Sequence, residues 1–196
     1  MNTSKKIGLY FGTFNPIHIG HLILANHMAE HSDLTEIWMV VTPHNPFKKK
    51  KSLLDNHHRY EMVYRVTESY PKIRPSDIEF KLPQPNYTSH TLAYLEEKHP
   101  SYQFNLIMGE DNLKSFHKWK NYEAILENYQ IYVYPRISEG SIPENFIDHP
   151  HIHRIEAPIM EISSTAIRKG IKEGKNVTPL LPKEVWKYID EMNFYK

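Results

Sequence analysis

The sequence predicts an α/β protein built on a doubly wound, mostly parallel sheet. Three observations lead to that class. Apolar runs of strand length alternate with amphipathic helical segments along the whole chain, the pattern of repeated strand–helix units. Residues 11–21 form a strand-to-helix turn between the apolar run 6–10 and a helical pattern that begins at Leu22. A second turn, residues 162–170, rich in hydroxyl side chains, lies near the other end of the sequence. A doubly wound sheet brings two such turns to its carboxyl edge, where ligands bind.

Composition bounds the reading further. The 196 residues fit a single domain, residues 1–196, able to bury a substantial core. With 40% hydrophobic and 24% charged residues the chain is ordinary for a soluble globular protein. The formal net charge of +1 gives no global field that would draw nucleic acid or a membrane surface. Cysteine is absent, which excludes disulfides, thiolate catalysis and cysteine-based zinc sites. Residues 1–6 lack the apolar core of a secretion signal and no run reaches membrane-spanning length. A cytoplasmic protein is expected.

In chain order, residues 6–10 read as a buried first strand, and Leu22, Ala25, Met28 and Ala29 share one face of the first helix. Between them, Gly12 permits a sharp turn or a close backbone approach to a ligand, and Pro16 sets the loop shape. His18 and His21, three apart at the helix start, share a face. Free N–H groups at a helix start suit phosphate, so two imidazoles beside them form a candidate polyphosphate site. Residues 36–41 read as the second strand, followed by a loop with His44 and the lysine run 48–51. Residues 56–69 read as a helix with Met62, Val63 and Val66 inward. Arg59 starts that helix, either as an ion-pair partner or as a ligand contact.

Residues 73–80 read as an extended segment, with Pro75 marking an edge. Prolines 83 and 85 make a loop before a helix carrying Leu92 and Leu95, with Thr88 or Ser89 as its cap. Residues 102–108 are another apolar strand, followed by Gly109 and Asp111. Asp111 either caps a helix beginning near Leu113, or accepts hydrogen bonds from a ribose or helps to hold a cation. Trp119, flanked by Lys118 and Lys120, fits a stacking platform better than a core position. Residues 130–134 are a further strand. His149, His151 and His153 alternate around Pro150 and fit a surface loop or edge strand rather than a metal site. Ser163, Ser164 and Thr165 can cap the next helix, whose Arg168 is a permanent, bidentate cation. Residues 182–190 form a last helix.

Residues 12–21, Gly-Thr-Phe-Asn-Pro-Ile-His-Ile-Gly-His, resemble the signature of the nucleotidyltransferase superfamily, Gly-Thr-Phe-x-Pro-x-His-x-Gly-His. Phe11 stands where many relatives have Gly, and Asn15 where many have Asp. Residues 162–168, Ile-Ser-Ser-Thr-Ala-Ile-Arg, resemble the closing motif of the same superfamily. Tyr87, Thr88, Thr91 and Leu92 resemble an element of the nicotinate mononucleotide adenylyltransferases, with His90 in place of its Asp, and the helix ending at Trp119 continues that likeness.

The resemblance implies a Rossmann-like nucleotidyltransferase fold. It also implies adenylyl transfer from ATP to nicotinate mononucleotide, giving nicotinate adenine dinucleotide and pyrophosphate, a step of NAD biosynthesis, with Mg²⁺ arriving on ATP. It places His18, His21 and Arg168 in catalysis. It assigns ATP to Gly12, Thr13, Phe14, His18, Gly20, His21, Gly109, Asp111, Ile162, Ser163, Ser164 and Arg168. It assigns the mononucleotide to Thr13, Asn15, His44, Lys48, Tyr87, Thr88 and Trp119. No resident metal ligands are implied. The alternatives are another enzyme of the superfamily, such as the phosphopantetheine adenylyltransferase, or a nucleotide-binding regulatory module without turnover. The choice between nicotinate and nicotinamide mononucleotide and the oligomeric state stay open.

Overall fold

The computed structural model describes residues 4–43 and 53–196. Its first half runs β1 (Lys5–Gly12), α1 (Ile19–His31), β2 (Glu36–Val41), α2 (Asn56–Thr67), β3 (Ile73–Ser76), α3 (Thr88–Lys98) and β4 (Tyr102–Gly109). The second half runs α4 (Glu110–Lys114), α5 (Tyr122–Asn128), β5 (Ile131–Tyr134), α6 (Glu144–Ile147), β6 (Ile152–Arg154), α7 (Ser164–Lys172) and α8 (Lys183–Glu191). The strands make one six-stranded sheet in the order β3-β2-β1-β4-β5-β6, and every neighbouring pair is parallel. The doubly wound expectation therefore holds, and the strand order reverses between β1 and β4.

The side-chain period of two divides the core into two layers. Ile37, Met39 and Val41 of β2, Ile107 of β4 and Tyr132 and Tyr134 of β5 face a layer covered by α1, α2, α7 and α8. Ile7 and Leu9 of β1, Phe104, Leu106 and Met108 of β4 and Ile131 and Val133 of β5 face the other, covered by α3, α4, α5 and α6. A strand buried on both faces must be apolar throughout, and β1, β4 and β5 are close to that. Among the described residues, no helix is long and apolar enough to cross a membrane.

Three details differ from the sequence reading. Residues 73–80 are not one extended segment: β3 ends at Ser76 and Ile78–Lys81 is a 3₁₀ turn, while Pro75 is accommodated within β3 at the edge of the sheet. The cap of α3 is Tyr87, with no side-chain hydrogen bond, rather than Thr88 or Ser89. The helix after β4 starts at Glu110 with Gly109 as its cap, so Asp111 lies inside the first turn and does not cap. As expected, the histidine stretch is part surface turn (149–151) and part edge strand (β6), and its histidines serve hydrogen bonding: His151 Nδ1 lies 2.8 Å from the Leu126 carbonyl and His153 Nε2 2.6 Å from Gln130 Oε1.

Candidate active site

The carboxyl ends of β1, β2, β4 and β5 open into a cleft at the β1/β4 reversal. One half, about 460 Å³, is lined by Gly12, Thr13, Phe14, Asn15, His18, Gly20 and His21 from the first turn and by Ile162, Ser163, Ser164, Thr165 and Arg168 from the second. Asp111 and Arg136 complete it. The other half, about 390 Å³, is lined by Glu79, Asn86, Tyr87, Thr88, Lys118, Trp119 and Lys120. Phe11, Thr42 and Asn112 border both halves. A wider groove of about 690 Å³ opens elsewhere, among Lys6, Asp33, Tyr102, Gln103 and Tyr132. Its polar groups already satisfy one another, Tyr132 and Lys6 both bonding Asp33. Chemistry, not size, locates the site.

The first turn is held from three sides. Gly12 has no room for a side chain, since a Cβ there would lie 2.7 Å from the Phe14 ring. Phe14 itself is buried in a left-handed backbone conformation, φ 43°, a strained state for a bulky residue that the surrounding packing maintains. Arg59 is wholly buried and donates to the carbonyls of Thr13 at 2.5 Å, Thr42 at 2.9 Å and Leu54 at 3.0 Å, and to Asn56 Oδ1 at 2.6 Å. Burial pulls its pKa down to about 10. Among the described residues Arg59 makes no ion pair, and it is not part of the cleft's described lining. It is a clamp that satisfies the turning backbone of β1 and β2, and nothing in local sequence marks that role.

His18 is the residue before α1 and is 4% exposed. Burial, with Arg136 adding to it, lowers its pKa to about 4, so the ring is neutral at physiological pH. His21 stacks on it with ring centroids 3.7 Å apart. The His18 backbone N–H donates to His21 Nδ1 at 3.3 Å. In the neutral imidazole that places the His21 proton on Nε2.

The second turn is bolted to the first. Ser163 caps α7 by accepting from the Ala166 N–H at 3.2 Å. Ser164 Oγ donates to the Pro16 carbonyl at 2.9 Å, and Arg168 Nη1 to the Asn15 carbonyl at 2.7 Å. Two helix starts, those of α1 and α7, therefore converge on one space with their free N–H groups. Asp111 Oδ1 is buried there without a hydrogen-bond partner among the described residues. A Cβ on Gly109 would run into that same oxygen, which explains the Gly two residues before it.

In the second half of the cleft, Trp119 is half-buried and packs edge-on with Phe116, ring centres 5.4 Å apart. It thus both packs on the core and lines the cleft. Lys120 Nζ lies 4.5 Å from the centre of the Tyr87 ring. Glu79, 2% exposed, accepts from Thr91 Oγ1 at 2.8 Å, and its carbonyl accepts from Asn86 Nδ2 at 3.1 Å. These bonds brace the Tyr87–Thr88 corner, and burial raises the Glu79 pKa. The predicted site residues line the cleft except Gly109, which sits behind Asp111 as the cap of α4, and His44 and Lys48, which lie outside the described residues. Arg136, Tyr10 and Tyr134 also line the cleft and were not foreseen. The position of Arg136 two residues past a parallel strand was the one available signal.

A fold of this order with converging helix starts and paired histidines at its reversal defines a nucleotide-transferring class, and the cytidylyltransferase-like family model matches residues 9–170. The chain is 70% identical over 193 residues to a protein of Christiangramia forsetii named probable nicotinate-nucleotide adenylyltransferase, covering 98% of this chain and 100% of that one. A protein of Flavobacterium psychrophilum with the same name is also 70% identical, over 97% of this chain and 99% of its own. The chain belongs to the nicotinate-nucleotide adenylyltransferase family. Its fold is that of the Plasmodium falciparum nicotinic acid mononucleotide adenylyltransferase solved in complex with NaAD, with a TM-score of 0.82 at 24% identity over 97% of both chains.

Proposed function

We propose that this protein transfers the adenylyl group of ATP to nicotinate mononucleotide, giving nicotinate adenine dinucleotide and pyrophosphate. The observation that carries the reading is the two-part cleft, a phosphate half built on two helix starts joined to an aromatic half around Trp119. A phosphate oxygen of the mononucleotide attacks the α-phosphorus of ATP. A new P–O bond forms as the bond to the β-phosphate oxygen breaks, and pyrophosphate leaves with that electron pair. The attacking oxygen is already anionic, so no general base is needed. Catalysis rests on positioning and on charge stabilisation.

In this reading the helix starts and Arg168 hold the triphosphate. The His21 Nε2–H donates to the phosphate as charge moves, and neutral His18 supports it by stacking and as a donor. Asp111, with its unpartnered oxygen, takes a ribose hydroxyl. Trp119 stacks on the pyridine ring at the Tyr87–Thr88 corner. The reaction needs a divalent cation, which we take to be Mg²⁺. Asp111 is the one carboxylate in the described lining of the phosphate half, and no group of three metal-ligating side chains occurs among the described residues. Phosphate oxygens and water would supply most of its ligands, and the ion would neutralise part of the triphosphate charge.

Mass spectrometry of products from ATP with nicotinate or nicotinamide mononucleotide, in separate tubes, tests the function. Formation of the dinucleotide from the nicotinate form is expected, and absence of both dinucleotides would refute it. Turnover should vanish with a chelator and return with Mg²⁺, whereas full activity in metal-free buffer would refute the metal.

A further inference from the structure

Beyond α8 the chain turns back towards the first turn of the cleft. Asn193 and Tyr195 both have left-handed backbones, with φ of 54° and 66°. Phe194 and Tyr195 then pack on the core layer that carries α8. Phe194 also lies 4.8 Å from the His58 ring. The Tyr195 hydroxyl reaches Asn15 Oδ1 at 2.7 Å, across 180 positions of sequence. The Leu54 N–H meets the same oxygen at 3.3 Å. A backbone N–H can only donate, so the atom it meets is the amide oxygen, and the Tyr195 hydroxyl must therefore donate as well. Asn15 is 1% exposed, and its carbonyl is the one that receives Arg168. One residue thus joins the phosphate-binding Arg168, the chain entering α2 and the segment after α8.

We propose that Tyr195 is a positioning residue for adenylyl transfer, its hydroxyl fixing the Asn15 side chain and through it the mononucleotide side of the first turn. The inference rests on the reading of Asn15 as part of the mononucleotide site. Burial raises the Tyr195 phenol well above its ordinary pKa, so the proton needed for the donated bond stays in place across the working pH range. Arg168 meets the main chain of Asn15 rather than its side chain, so its hold on the first turn does not depend directly on this bond.

The test is a double-mutant cycle in the full chain. Tyr195→Phe keeps the ring and removes the bond. It is expected to lower kcat/KM for the mononucleotide about three- to tenfold, the scale of one neutral hydrogen bond, with the KM for ATP and the melting temperature unchanged. Adding Tyr195→Phe to Asn15→Ala should cost nothing further. A Tyr195→Phe loss of equal size in the Asn15→Ala background overturns the inference and leaves the site reading standing. So does a loss that raises both KM values alongside a lowered melting temperature, the mark of a purely structural role. An Asn15→Ala enzyme indistinguishable from wild type overturns the reading of Asn15, and the inference with it.

Discussion

The phosphate half of the cleft draws its groups mainly from two continuous stretches, residues 12–21 and 162–168, whereas the ring half gathers Glu79, Asn86, Tyr87, Thr88 and Trp119 from separate loops. The difference follows from the ligands. A triphosphate wants many N–H donors pointing one way, and a helix start supplies them within a few consecutive residues. A flat, partly apolar ring wants faces and edges from several directions, which a single turn cannot present. On the proposed reading, phosphate recognition is local in sequence, and the two stretches are cross-braced in space by the Ser164–Pro16 and Arg168–Asn15 bonds. Ring recognition is dispersed and depends on braces such as the Glu79–Thr91 bond.

The largest expected effect lies in the phosphate half. If His21 donates as the α-phosphorus changes partners, its contribution belongs mainly to the transition state. Removing it should then lower turnover with little change in ground-state affinity. His21→Ala should lose about 10²–10³ in kcat, the cost of one positioned donor, while calorimetric ATP binding and the circular dichroism spectrum stay near wild type. Near-normal turnover would remove His21 from the chemistry and make this half a binding cradle only.

That division also explains what the sequence made legible. The parallel, doubly wound class of the sheet, both helix starts and the histidine pair were readable because each is encoded by neighbours: apolar runs, a Gly–Pro turn, a hydroxyl cap. Arg59 was not, because its role is to meet the carbonyls of Thr13, Thr42 and Leu54, whose approach exists only after β1 and β2 pair. Arg136 reaches the cleft, and Tyr195 reaches Asn15 behind it, only through the fold. Trp119 was half legible. Its flanking lysines pointed to an exposed platform, and its edge contact with Phe116 shows it is a core residue as well.

Trp119 gives the next effect in size. Stacking a base on an aromatic side chain is worth roughly 1–3 kcal/mol in nucleic-acid complexes, and the same scale applies to a pyridine ring. Trp119→Ala should raise KM for the mononucleotide by about one to two powers of ten while leaving ATP almost untouched. Saturation curves for both substrates decide it. Because Trp119 also packs on Phe116, Trp119→Phe is the companion variant: it should recover stability first and affinity only in part. Equal weakening of both substrates would mean that the two halves are not separable.

The smallest effect is a pH dependence rooted in the phosphate half. Buried His18 has its pKa lowered from 6.5 to about 4. The unfolded chain takes up a proton near the ordinary value, and the folded chain refuses it until far lower. The stability tied to the neutral ring is therefore complete above the ordinary value and is lost as pH falls towards about 4. Linkage puts the loss at about 0.8 kcal/mol at about pH 6 and about 2 kcal/mol at about pH 5. Wild type should melt progressively earlier than its neutral-pH value over that range, and His18→Asn, which has no titrating ring there, should show a shallower slope. Saturating ATP sharpens the comparison. Triphosphate charge beside the stacked imidazoles favours the protonated form, so the wild-type slope should flatten when ATP is bound and keep its steepness when only the mononucleotide is present. Parallel slopes for wild type and His18→Asn would show that the ring is protonated as freely in the folded protein as in the unfolded chain.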